Sequence, residues 1–167
     1  MTALMKGLAV GAAQVLLVAS VGAKFLYDRA NYPRLWVETA PFDPDMPIRG
    51  RYVNIALRVD ADRATPGDGD GAPDMFRARL EARGDALFAV QDDDDGRHWV
   101  RSGRCGERDC WLLAAPLAYF IPEHGDDPSR QPQGAALWAE VTLPPSGAPR
   151  PVRLGVKKGD AIEPIAP

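Results

Sequence analysis

A mainly β fold, an antiparallel β-sandwich or small β-barrel preceded by one N-terminal transmembrane helix, is what the sequence predicts. Three observations predict it: an uncharged run from Gly7 to Ala23 between Lys6 and Lys24, repeated alternation of apolar and polar residues, and sixteen glycines with sixteen prolines. The first approaches the ~20 apolar residues that cross a bilayer core. The second places one face of a strand in a core and the other in water. The third supplies the frequent chain reversals that short strands need. At 167 residues and 46% apolar, the chain has the size of one compact domain. The expected division is a membrane anchor over residues 1–29 and a β-rich domain over residues 30–167.

The anchor comes first. Leu4, Met5, Phe25 and Leu26 extend the run, and both flanking lysines can snorkel outward. Tyr27, Tyr32 and Trp36 follow, either as headgroup-level aromatics or as core residues of a first strand. Val21-Gly22-Ala23 offers small residues to a signal peptidase, so a cleaved leader competes with a permanent anchor. Lysines and arginines stand on both sides and leave orientation open. Gly7, Gly11, Gln14, Val18 and Gly22 recur at helical spacing. Gly7 and Gly11 allow close backbone approach, and Gln14 can hydrogen-bond across an interface. This face reads as a dock for another membrane helix, or as the trace of a composition rich in Gly and Ala.

The strands follow in order. Val53, Ile55, Leu57 and Val59 share one side, as do Phe76, Ala78, Leu80 and Ala82, then Leu137, Ala139, Val141 and Leu143, then Val152, Leu154 and Val156. Arg34 to Thr39, Ala86 to Gln91 and His98 to Arg101 are shorter candidates, and Trp111 to Phe120 is a nearly continuous apolar run. About eight strands are expected. Ala64 to Asp74, Asp92 to Gly96, His124 to Gly134 and Pro144 to Pro149 read as connections. Leu35-Trp36-Val37-Glu38 and Leu137-Trp138-Ala139-Glu140 echo one another, which reads as chance.

A net charge of −3 and a pI near 5.4, with arginines interleaved among aspartates, give no field for gathering phosphates, so nucleic acid is not an expected partner. Cys105 and Cys110 enclose four residues between two strands, a spacing that suits a hairpin placing the cysteines opposite each other in a disulfide. Such a bond fits an oxidising compartment. Two free thiols or a redox pair are the alternatives, the latter requiring exposed, readily reduced cysteines. No metal site is expected. The acidic stretches at Asp68 to Gly71 and Asp92 to Asp95 have Arg79 and Gly103 at the twelfth loop position, where a calcium loop needs glutamate. Ser102, Ser129, Ser146, His98 and His124 are the candidates for a hydrolytic set, and the serines all lie in turns or loops.

Phe42-Asp43-Pro44-Asp45-Met46-Pro47-Ile48-Arg49-Gly50-Arg51-Tyr52-Val53 resembles the family named after its GDYXXLXY motif, bacterial membrane-anchored proteins of unknown function. Asp43-Pro44 and Arg49-Gly50 match in order, and Gly50 and Tyr52 match the first and third motif positions. Arg51 replaces the aspartate, Ile55 stands for the leucine, and Leu57 replaces the final tyrosine. Tyr119-Phe120-Ile121-Pro122-Glu123 resembles the family's second signature, and the hairpin around Ser146-Gly147 fits its ending. The resemblance implies a membrane-protein partner and no particular reaction. A catalytic carboxylate would not survive reversal of its charge, so the Arg51 position reads as non-catalytic. The same phrase is similar to the strand after the nucleophile in signal-peptidase-like serine proteases. No serine lies between Phe42 and Tyr52, and the next lysines are Lys157 and Lys158.

Together these features predict a non-catalytic accessory protein of the bacterial inner membrane, single-pass, its C-terminal domain periplasmic, without a cofactor. Arg49, Gly50, Arg51, Tyr52 and Glu123 are its expected interaction or fold-organising residues, and Gly7, Gly11, Gln14 and Gly22 its membrane-helix interface. The alternative is an envelope enzyme, hydrolase-like, with a site near Glu123 and His124.

Overall fold

The computed structural model describes residues 2–41, 52–62, 74–121, 135–145, 147–159 and 161–165. The chain forms two compact units, Met1–Tyr32 and Pro33–Pro167.

The first unit is one helix, α1 (Ala3–Asn31). Its 29 residues exceed the ~20 that a bilayer core requires. Over Leu4–Asn31 the mean hydropathy reaches 1.8 and none of the most apolar stretch is buried, so this helix is long and apolar enough to span a membrane. The helix stops where Pro33 approaches, because proline disfavours helical geometry in the residue before it. Tyr32 N–H donates to the Asp28 carbonyl and the Asn31 side chain donates to the Tyr27 carbonyl, satisfying groups in the last turn.

The second unit is mainly antiparallel β, with ten strands in one continuous sheet among the described residues. They are β1 (Arg34–Pro41), β2 (Tyr52–Ala61), β3 (Met75–Arg83), β4 (Ala86–Gln91), β5 (His98–Cys105), β6 (Arg108–Leu113), β7 (Leu117–Phe120), β8 (Leu137–Thr142), β9 (Arg150–Lys158) and β10 (Ala161–Pro164). The strand order is β10-β9-β8-β1-β2-β4-β3-β5-β6, and β6 returns to pair with β2. Strands β2, β4, β3, β5 and β6 therefore close into a ring, while β1, β8, β9 and β10 continue from β2 as an open extension. The fold is thus a small barrel carrying a sheet. One pairing is parallel, β2 with β4.

Strand β2 belongs to both parts. Its first half pairs with β1 through Pro41↔Ile55 and with β7 through Tyr52↔Phe120. Its second half pairs with β4 and β6. The predicted inward side of β2 holds: Ile55, Leu57 and Val59 lie in a single core with Leu35, Val37, Phe76, Val100, Trp111, Val141 and Leu154. In β3 the alternation holds at Phe76 and Ala78, whereas Ala82 is exposed near the hairpin tip.

The structure corrects several expectations. The run from Trp111 to Phe120 is two strands, separated at 114–116, because Pro116 has no N–H for the ladder. The cysteines are diagonal neighbours: Cys105 faces Arg108 and Cys110 faces Gly103. The hairpin closes with only Gly106 and Glu107, and Gly106 has φ +63°, the geometry of a type II′ turn with glycine first. The diagonal still brings the two Cα atoms to 5.9 Å, and the disulfide forms. It sits with Ala40, Ala56 and Leu112 in a second, smaller apolar cluster.

The tetrapeptide echo also has a structural meaning. Its two copies lie side by side in the β1–β8 ladder, with Trp36 facing Glu140 and Glu38 facing Trp138. Antiparallel pairing of two X-Trp-X-Glu segments places each indole opposite the other's carboxylate on the face away from the core. Trp36 therefore does not join the core. Glu140 is buried there, held by Arg153 at 2.7 Å, and Arg153 also lies over the Trp36 ring. Lys157 lies over the Trp138 ring, and Glu38 pairs with Arg58 at 3.0 Å. The Trp36 ring crosses to β9 above Gly155, where an added Cβ would come within 3.0 Å of both Trp36 Cη2 and the Glu163 carbonyl oxygen. We expect Gly155→Val to cost about 1–3 kcal/mol by overpacking, seen as a lower urea midpoint at unchanged slope.

Candidate functional site

The two signature segments of the sequence meet at one end of the β2–β7 ladder. Strand β2 begins at Tyr52 and β7 ends at Phe120, and these residues face each other in register. Their rings are 6.2 Å apart and tilted by 58°. Tyr52 is half-buried, whereas Phe120 is 75% exposed. Segments 68 residues apart in sequence thus converge on one aromatic pair. The preceding positions Arg49, Gly50 and Arg51, and the following Glu123 and His124, lie outside the described residues.

On α1, Gly7, Gly11 and Gly22 each have nothing within 4 Å of where a Cβ would stand. Leu4, Leu8 and Val18 are 81%, 76% and 72% exposed. The helix thus presents a large apolar surface together with a glycine-lined stripe.

Cys105 and Cys110 are bonded and buried, so the condition for a thiol-redox reading, exposed and readily reduced sulfur, is not met. Closing this short loop contributes on the order of 2 kcal/mol in the chain-entropy model.

His98, at the start of β5, serves the fold. The backbone of Gly147, in the β8–β9 connection, favours the charged form of the His98 ring. Burial, and then the neighbouring Arg97 guanidinium, outweigh this and hold its pKa below the ordinary 6.5. Below pH 6.5 the unfolded chain takes up a proton that folded His98 resists, so stability falls as pH drops through this window and levels off below the folded value. Melting curves between about pH 7.5 and about pH 5.5 should show this decline in the native chain and a flatter profile in His98→Gln.

Sequence reasoning did not reveal a shallow groove of about 400 Å³, lined by Met75, Arg97, His98, Trp99, Leu113, Ala114 and Ala115. It lies where the ends of β3, β5 and β6 meet, tied by the Ala114 N–H donating to the Trp99 carbonyl at 2.8 Å. Trp99 and Met75 are 51% and 47% exposed, unlike the other large apolar side chains of β3, β5 and β6. The period-two pattern places Trp99 on the outward face of its strand, the one available signal; three strands had to be brought together before it became a wall.

Compared with known proteins, the chain matches no family model, no curated protein and no solved structure.

Proposed function

We propose that this is a non-catalytic accessory protein of the bacterial inner membrane. In this reading α1 is a permanent single span, the β domain stands in the periplasm, and the end of the β2–β7 ladder engages a membrane-protein partner. The observation that carries the reading is the bare apolar surface of α1: side chains such as Leu4, Leu8, Leu16 and Val18 are each more than two-thirds exposed, and a lipid bilayer is the environment in which such a helix is satisfied on every side. The disulfide supports an oxidising compartment. The convergence of Tyr52 with Phe120 supports a partner surface at that ladder end, with Arg49, Gly50, Arg51 and Glu123 adjoining it in sequence. The stripe of Gly7, Gly11, Gln14 and Gly22 supplies a second contact, within the membrane.

Protease accessibility tests the placement. The β domain should resist external protease in intact cells, become cleavable once the outer membrane is opened, and stay in the carbonate-resistant membrane fraction as a chain beginning before Lys24. A soluble mature form starting at Lys24, or a domain protected until the inner membrane is breached, would overturn the reading.

A further inference from the structure

We propose that the groove beside Trp99 binds a single-chain amphiphile with a carboxylate head, a fatty-acid anion: the acyl chain lies along Met75, Trp99 and Ala115, and the head meets Arg97. This inference is independent of how α1 is anchored.

The walls fit the chain. Trp99 offers a broad apolar plane, and Met75 a thioether that adapts to irregular shapes. Ala114 and Ala115 form the remaining apolar wall, with Leu113 buried behind them, and the volume of about 400 Å³ falls within the ~300–1,000 Å³ typical of small-molecule sites. Both Trp99 and Met75 are about half exposed, so a ligand seated against them removes apolar surface from water.

The charge at the rim fits the head. Arg97 is exposed and has no carboxylate or carbonyl partner among the described residues, whereas the nearby Arg77 is engaged by the carbonyls of Gly96 and Asp93. Its fork is therefore open to bidentate recognition of a carboxylate. Burial disfavours the charged form of the His98 ring, so Arg97 is the cation that lines the groove.

The acids around the site select among anions. Asp74 precedes Met75, and Asp92 to Asp95 precede Arg97, so five carboxylates flank the groove's residues along the chain and repel an anionic head. A head with two negative charges, such as a phosphate monoester, meets that repulsion twice over, while a carboxylate needs one short contact with one guanidinium.

The test uses the full chain in lipid nanodiscs with ¹⁵N-labelled tryptophan indoles. The Trp99 signal is identified by its loss in Trp99→Phe, and the probes are octanoate, octanol and octyl phosphate. Octanoate should shift the Trp99 signal saturably while leaving buried Trp111 unmoved. Octanol and octyl phosphate should each bind about ten-fold more weakly, the loss of one charged hydrogen-bonding contact. Arg97→Gln should weaken octanoate about ten-fold and leave octanol unchanged. Filling the groove with Ala115→Trp should abolish both shifts. Absence of a saturable Trp99 shift, equal binding of octanol, tighter binding of octyl phosphate, or an Arg97→Gln variant that binds octanoate normally would each overturn the proposal.

Discussion

Leu57→Ala should destabilise the β domain by about 2–5 kcal/mol, the usual cost of emptying a fully buried leucine site. Leu57 is 0% exposed and lies in the strand that joins the ring to the extension, facing Thr39 across the β1–β2 ladder. Neighbours on both sides lose contacts at once, and the ladders around β2 leave little room for collapse into the void. Domains of this kind have total stabilities of about 5–15 kcal/mol, so the change removes a large fraction. Denaturant unfolding followed by tryptophan emission should show a much lower midpoint at unchanged slope. A loss under ~1 kcal/mol would show that this part of the core relaxes freely.

Placing arginine at both Leu16 and Leu17 should release the chain from membranes. Each arginine near the centre of a spanning helix costs about 2.5–3.5 kcal/mol on insertion scales. The two leucines are 69% and 67% exposed, so on a helix bathed in water the same double change would be nearly neutral for stability. The outcome separates a lipid environment from an aqueous one. Membrane flotation of wild-type and variant chains is the measurement, and retention of the variant in the floated fraction would count against a spanning α1.

Much of this architecture was legible in the residues. Val53, Ile55, Leu57 and Val59 mark one side of β2 because that side faces the main core, whereas Ala56 on the other side is buried in the smaller cluster, and the uncharged stretch from Gly7 marks α1 as an apolar helix. Less legible was whatever depends on neighbours in space. Strand β10 carries no clear alternation, because Ala161-Ile162-Glu163-Pro164 is short and ends in proline. Glu140 and Thr142 read as solvent-facing by alternation. They are buried nonetheless, Glu140 with Arg153 bonded to it. The choice between sandwich and barrel rested on the short β2–β6 pairing, a contact between residues about fifty positions apart that leaves no local trace. At the candidate site, the sequence singled out Tyr52 and the segment ending in Glu123 separately; their meeting at Phe120 is a matter of register.

The double membership of β2 has a mechanical meaning. A body made of two independently bounded sheets can open along the seam between them, one half melting while the other persists. Here the same ten residues, Tyr52–Ala61, form the border of both, so neither half can come apart without stripping hydrogen bonds from the other. The slowest-exchanging amides of β5 and those of β8 should therefore share one opening free energy, and the domain should pass between folded and unfolded as a single cooperative block.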